Sequence, residues 1–285
     1  MDQDVSAVNQ SFPWRRIASA AIAIPLALAA IGWGSWAFTL VFGLLIYLGQ
    51  LEYFDLVRAK GVSPAAKTTI CLSQVLLVLC QINSDWGDVG FPVAGTCICF
   101  YLLFQPKLAT IADISASILG LFYGGYLPSY WIRLRGLSGA GIAWEKGLEL
   151  NQGGVYVLVM FSCIWASDIG SYVFGKAIGR TRLSDISPKK TVEGAVFGLI
   201  SCVGVALVWA AILGWHYWWL TGGILGLMIG IASLLGDLTE SMMKRDAGVK
   251  DSGQLIPGHG GILDRADSYV FTAPLAYYFV TLILT

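Results

Sequence analysis

The chain has 285 residues, 56% of them hydrophobic and 13% charged, with a formal net charge of zero and a mean hydropathy of +0.69. Soluble globular domains carry about 25% charged residues, so roughly half the usual charge is missing and a water-soluble fold is excluded. No basic tract marks a nucleic-acid partner, and the zero net charge leaves only the placement of charge to be read.

Apolar runs near 20 residues recur along the whole length, which predicts an all-α, polytopic membrane bundle of about nine transmembrane helices. The runs fall near 17–32, 34–54, 66–82, 89–105, 110–131, 153–175, 194–214, 217–240 and 266–284. Several contain Gly or Pro, which neighbouring helices in a membrane tolerate better than water does. Arg15 and Arg16 before the first run have the form of a secretory signal, but a second apolar run follows at once, as expected of a retained helix. Extended polar connections are confined to 132–152, 176–193 and 241–264. The first, with Trp144, Glu145 and Lys146, is expected to be a surface loop without chemistry. Cys71, Cys80, Cys97, Cys99, Cys163 and Cys202 lie in apolar runs without metal-ligand spacing, so they read as packing residues. His216, within WHYWW, belongs to an interfacial aromatic belt.

Lys and Arg set the orientation. With alternating spans, one side collects Arg58, Lys60, Lys67, Lys107, Lys176, Arg180, Arg182, Lys189, Lys190, Lys244, Arg245, Lys250 and Arg265. The other is assigned Arg15, Arg16, Arg133, Arg135 and Lys146, so the N-terminal arginine pair weighs against the bias. The richer side is expected to be cytoplasmic.

The penultimate run ends GDLTESMMKR. On one helix Asp237, Ser241 and Lys244 or Arg245 share a face. A carboxylate near the end of an apolar run costs a few kcal/mol unless it is paired or functional, so Asp237 is either a metal ligand or the partner of Lys244 or Arg245. Beyond it, Lys250, Asp251 and the turn PGHGG lead to Asp264, Arg265 and Asp267. Asp264 and Asp267 project from one helical face, either as oxygen ligands for Mg²⁺ or as caps compensating the helix dipole. Gly258, Gly260 and Gly261 permit main-chain amides to approach a phosphate ahead of a helix N-terminus, although a plain tight turn needs the same residues. His259 either donates to a phosphate or orders the loop. Cations and amides that neutralise phosphate oxygens, beside carboxylates that hold a divalent metal, are the requirements of polyphosphate chemistry.

A second polar block follows Asp168 and Ser171: Lys176, Arg180, Arg182, and then SPKKTVEG. Arg180 and Arg182 need no role beyond orientation. Ser187, Lys189, Lys190 and Thr191 are candidates to hold a nucleotide triphosphate or a lipid phosphate. Glu193 is a candidate to orient a lysine or a metal-bound water.

The segment from Ser241 to Asp267 follows S-x-x-K-R-x4-K-D-x-G-x2-I-P-G-H-G-G-x2-D-R-x-D. It resembles the signature of the phosphatidate cytidylyltransferase (CDP-diacylglycerol synthase) family, with Ala266 where a larger apolar residue or Thr is usual. Residues 168–198 are similar to the family's other hallmark region, with Ser171 for a usual Ala and Phe197 for one glycine of a pair. The resemblance is strong over roughly the last 120 residues and architectural before them. It implies one membrane-embedded domain over 1–285, with an N-terminal helical part, 1–150, and a catalytic part, 151–285. It also implies the conversion of CTP and phosphatidate to CDP-diacylglycerol and pyrophosphate, with Asp237, Lys244, Asp264 and Asp267 catalytic. Asp237, Asp264 and Asp267 are expected to hold Mg²⁺, with Asp251 in reserve and a second cation left open. Ser187, Lys189, Lys190, Thr191, Glu193, Ser241, Arg245, Lys250, Asp251, His259, Gly260, Gly261 and Arg265 are expected at the substrates. Membrane lipids, and a second copy of the chain as a homodimer, are further candidate partners. The expected location is a bacterial-type plasma (inner) membrane, with the active site on the cytoplasmic side. A CTP-dependent polyprenol or phytol kinase and a membrane transporter are the rivals. The kinase acceptor is an alcohol needing a base, and a transporter places its carboxylates at the bilayer midplane.

Overall fold

A computed structural model describes residues 14–139, 142–144, 148–253 and 260–284, with side chains from residue 24 onward except over 140–149 and 254–259. The elements are helices α1 (Trp14–Trp33), α2 (Ser35–Ala59), α3 (Ala66–Ile82), α4 (Trp86–Leu103), α5 (Ile111–Leu121), α6 (Leu127–Arg135), α7 (Gln152–Ile178), α8 (Val192–Ile212), α9 (Trp218–Asp246), α10 (Leu263–Val270) and α11 (Thr272–Phe279). A π-helical turn, Phe122–Tyr126, joins α5 to α6, and another, Val280–Leu284, ends the last helix. Strands β1 (Ile142–Trp144) and β2 (Leu148–Leu150) pair antiparallel within the segment 132–152 that was expected to be a surface loop.

Merging the continuous pieces gives nine helical segments among the described residues, one for each predicted run. Six of them are long and apolar enough to cross a membrane: Ser35–Ala59, Trp86–Leu103, Gln152–Ile178, Val192–Ile212, Trp218–Asp246 and Leu263–Leu284. The chain is therefore an integral membrane protein of the helical class.

Local sequence explains the boundaries. Thr110 and Asp113 form a reciprocal capping box at the start of α5. Asn151 caps α7 through Gly154 N at 3.1 Å, and Thr191 caps α8 through Gly194 N at 3.1 Å. Helices α7 and α8 pack closely because Gly194 and Gly198 recur one turn apart. A β-carbon on Gly194 would lie 2.8 Å from Ser171 O, and one on Gly198 would lie 2.8 Å from Ser167 O. In the core, Trp131 sits edge-on to Phe161 at 4.9 Å and donates to Tyr269 O at 2.9 Å, which pins α6 against α7 and α10.

Arg135 corrects one part of the orientation reading. Its buried guanidinium holds Ile31 O through Nη2 at 2.7 Å and Asn151 Oδ1 through Nη1 at 2.5 Å. The far end of α1 thus lies with the end of α6 that carries Arg133 and Arg135 and with the start of α7 at Asn151. Arg15 and Arg16 open α1 at its opposite end, so they add to the Lys/Arg-rich side. Alternation of the predicted runs itself puts these two arginines with Arg58 and Lys60, so the side first given to them is corrected.

Candidate functional site

At the Lys/Arg-rich end, α9 and α10 meet where Gly236 lets the Asp267 carbonyl approach. A β-carbon there would collide with that carbonyl. The approach brings Asp237 and Glu240 of α9, at i and i+3, to face Asp267. One oxygen from each of the three carboxylates lies within 4.8 Å of the others. Glu240 is fully buried and Asp267 nearly so, whereas Asp237 is about one-third exposed. Lys190 pairs with Asp237, and Ser241 Oγ stands 3.4 Å from Asp237 Oδ1. Asp267 Oδ1 also accepts from Ser268 N at 2.7 Å. Neither oxygen of Glu240 completes an aligned hydrogen bond, although Oε2 is 2.5 Å from Lys244 Nζ.

Lys244 bridges Glu240 to Asp264 Oδ1, also at 2.5 Å. The other oxygen of Asp264 accepts from Ser252 N at 2.9 Å, Ser252 Oγ at 2.9 Å and Gly261 N at 2.8 Å. Asp264 therefore anchors the turn ahead of α10. Gly260 stands at φ 85 in that turn, where a β-carbon would also meet the Asp264 carboxylate.

Sequence reading missed Glu52. This buried carboxylate on α2 accepts from Ser252 Oγ at 3.0 Å, Ile262 N at 3.0 Å and Leu263 N at 2.8 Å. It fills the N-terminus of α10, satisfying donors that a helix start otherwise leaves open. The expectation that Gly261 and this helix start cradle a phosphate is corrected here: Gly261 N is held by Asp264, and the next two amides by Glu52. The available signal was an acidic residue inside a predicted apolar run. Glu240 was missed as well, although its i+3 spacing from Asp237 and i−4 spacing from Lys244 put it on the same face.

The second block adjoins this site through the Lys190–Asp237 pair. Leu183 N and Lys190 O, 2.9 Å apart, and Val192 N and Thr181 O, 3.0 Å apart, fold residues 181–192 back on themselves. Glu193 braces that fold by accepting from Arg180 N at 3.1 Å and Thr181 N at 3.2 Å. Glu193 and Thr191 thus have local structural work, one in the fold and the other as a helix cap. Arg245 ties the two blocks together, reaching Ile186 O at 3.3 Å and Val249 O at 3.2 Å. Lys189, Lys250 and Asp251 are exposed. His259 lies outside the described residues.

Ser187, Lys189, Lys190, Thr191, Asp237, Asp264, Arg265 and Asp267 all line one cavity of about 1650 Å³. Its walls continue through Trp131, Phe161 and Trp165 to Ile24, Leu26, Phe42, Leu45 and Ile46. One end is thus charged and the other apolar. Close carboxylates repel one another in a low dielectric, and a hard divalent cation with oxygen ligands relieves that repulsion; Asp237, Glu240 and Asp267 fit such an ion.

Residues 14–283 match the cytidylyltransferase family. The chain is 59% identical to the phosphatidate cytidylyltransferase of Synechocystis sp. over 288 residues, covering 95% of this chain and 98% of that protein. It is 41% identical to phosphatidate cytidylyltransferase 4, chloroplastic, of Arabidopsis thaliana, covering 87% and 68% respectively. Identity to the phosphatidate cytidylyltransferase of Bacillus subtilis is 29%, covering 85% and 90%.

Proposed function

The chain belongs to the cytidylyltransferase family, and from that membership we propose that it converts CTP and phosphatidate to CDP-diacylglycerol and pyrophosphate. The observation that carries the reading is the cavity itself, with lysines and converging carboxylates at one end and an apolar wall at the other. A lipid phosphate fits such a space, with its head group at the charges and its tails along the wall.

A phosphate monoester has its second pKa near 6, so the lipid nucleophile is already largely ionised at neutral pH. Its oxygen attacks the α-phosphorus of CTP, the bond to the β-phosphate oxygen breaks, and pyrophosphate leaves. No strong base is needed. The task is to align two anions and lower their repulsion. Lys189 supplies positive charge at the exposed rim, and Lys190, paired with Asp237, supplies it beside the carboxylates together with Arg265. Asp237 and Asp267, with Glu240, would hold Mg²⁺, which when bound draws charge from phosphate oxygens. Asp264 joins that ligand set only if Lys244 is drawn away. Lys244 itself stands between Glu240 and Asp264, where a second cation would otherwise be wanted.

We further infer that all nine helical segments cross the bilayer, with this end of the bundle in the cytosol, where CTP is made. The Lys/Arg bias supports that side, and a bacterial-type plasma membrane suits it. Purified protein supplied with labelled CTP, Mg²⁺ and phosphatidate is expected to release labelled CDP-lipid and pyrophosphate. Phosphorylation of a polyprenol with release of CDP, and no product from phosphatidate, would establish the kinase reading instead.

A further inference from the structure

Tyr123 lies in the π-helical turn Phe122–Tyr126 and lines the cavity. Such turns insert a residue into a helix and re-aim the side chains that follow. The residue is 2% exposed, and its hydroxyl has no hydrogen-bond partner. Its neighbours are satisfied: Tyr53 Oη donates to Ala116 O at 2.9 Å, Tyr126 and Tyr130 join Oη to Oη at 2.9 Å, and Tyr269 Oη accepts from Trp165 at 2.6 Å. Among the described residues Tyr123 is the one buried tyrosine hydroxyl left without a partner. A buried orphan hydroxyl is unfavourable, so its presence needs a reason.

Position supplies one. The Tyr123 ring stands edge-on to Phe271 at 5.6 Å, and Phe271 packs beside Gly236 where α9 and α10 converge. Gly236 is the chain neighbour of Asp237 and receives the Asp267 carbonyl, so only the Phe271 ring separates Tyr123 from that junction. The next residue, Gly124, rests on Gln50, and the α2 face carrying Ile46 and Gln50 begins the apolar wall. Tyr123 therefore lines the same cavity as Asp237, Asp267, Lys189 and Lys190, between Phe271 and the α2 residues of the apolar wall.

We propose that Tyr123 is a further catalytic residue, whose hydroxyl donates a hydrogen bond to a phosphate oxygen of the lipid substrate at the Asp237–Glu240–Asp267 end of the cavity. This rests on the functional reading above and adds to it the group that receives the lipid head. A neutral donor suits the place, because it binds an anion without trapping the carboxylates in ion pairs of their own.

Tyr123→Phe removes one oxygen and keeps the ring. Initial rates with CTP and phosphatidate varied separately, on the full chain in detergent, are expected to show a roughly ten- to hundred-fold fall in kcat/KM for phosphatidate, the scale of one hydrogen bond to a charged group. KM for CTP at saturating lipid should not move. Thermal stabilisation by dioctanoyl phosphatidate should shrink in the variant, while the ligand-free melting temperature holds or rises. Unchanged kinetics for both substrates overturn the proposal, as does a loss confined to CTP, which would assign the hydroxyl to the nucleotide. A drop in ligand-free melting temperature that accounts for the lost activity also overturns it, in favour of a packing role. A wild-type chain that makes no CDP-lipid overturns the functional reading and this proposal together, whereas an active wild type with an indifferent Phe variant overturns this proposal alone.

Discussion

Glu52→Gln changes one buried charge while leaving the side-chain shape almost intact. In the native chain one carboxylate oxygen receives Ile262 N, and the other receives Leu263 N and Ser252 Oγ. A glutamine carbonyl placed at the second position keeps two donors, and its amide then points N–H groups at Ile262 N–H. One buried amide loses its acceptor, at about 1–3 kcal/mol. The two surviving bonds fall from charge-assisted to neutral, roughly halving them. The sum is about 2–4 kcal/mol, a large share of a total stability of about 5–15 kcal/mol. At roughly 2–4 °C per kcal/mol, the apparent melting temperature should fall by roughly 5–15 °C. Because the same bonds set where α10 begins, Asp264 and Asp267 should shift with it, and half-maximal turnover should need more Mg²⁺. Scanning fluorimetry in detergent and a Mg²⁺ titration of CDP-lipid synthesis measure both effects. Asp55→Asn on the same helix is the control, since its pair with Arg58 is exposed and worth about 0–1 kcal/mol. If Glu52→Gln melts with the control and titrates like the wild type, the anchoring argument is wrong.

Asp237→Asn and Asp267→Asn should each cut turnover by roughly a hundred-fold or more with little change in melting, losses typical of removing a group that stabilises transition-state charge; a wild-type Mg²⁺ titration in either variant removes that residue from the metal site. Lys244→Met strands Glu240 and Asp264 without their shared cation and should cost about 3–5 kcal/mol of stability, whereas Lys60→Met, which breaks an exposed pair with Asp246, should leave melting nearly unchanged; equal melting curves refute the buried bridge. Single cysteines at Ser187 and Asp251 in a Cys-free background should react with an impermeant thiol reagent from the same side, and CTP with Mg²⁺ should slow both reactions. Ser252 is unsuited to this test because it is buried against Glu52 and Asp264. Labelling from opposite sides would refute the shared face.

The helical class was legible because apolar runs report membrane helices directly, and each predicted run has its helical segment. Asp237, Ser241 and Lys244 were legible as one face because they sit on one continuous helix. Glu52 and Tyr123 were not. Each lies in an apolar stretch of the N-terminal part and meets its neighbours only through tertiary contact, which periodicity does not encode. The local roles of Thr191 and Glu193 were not legible for a related reason. Hydroxyls and carboxylates ahead of a helix serve caps and turns as readily as ligands, and only the fold of residues 181–192 separates the two uses. Lys244 was expected at a phosphate, and its two carboxylate partners, Glu240 and Asp264, were not foreseen because they close on it only when α9 packs against α10.

The contact between Glu52 and Ser252 joins residues 200 positions apart. During synthesis α2 is in place long before α10 exists, so for most of that interval the Glu52 carboxylate lies among apolar helices without the amides that will later receive it. The unfinished chain is therefore least settled at the place where the finished one is most firmly tied. Arrival of the last helix completes the active site and relieves this stranded charge in a single step.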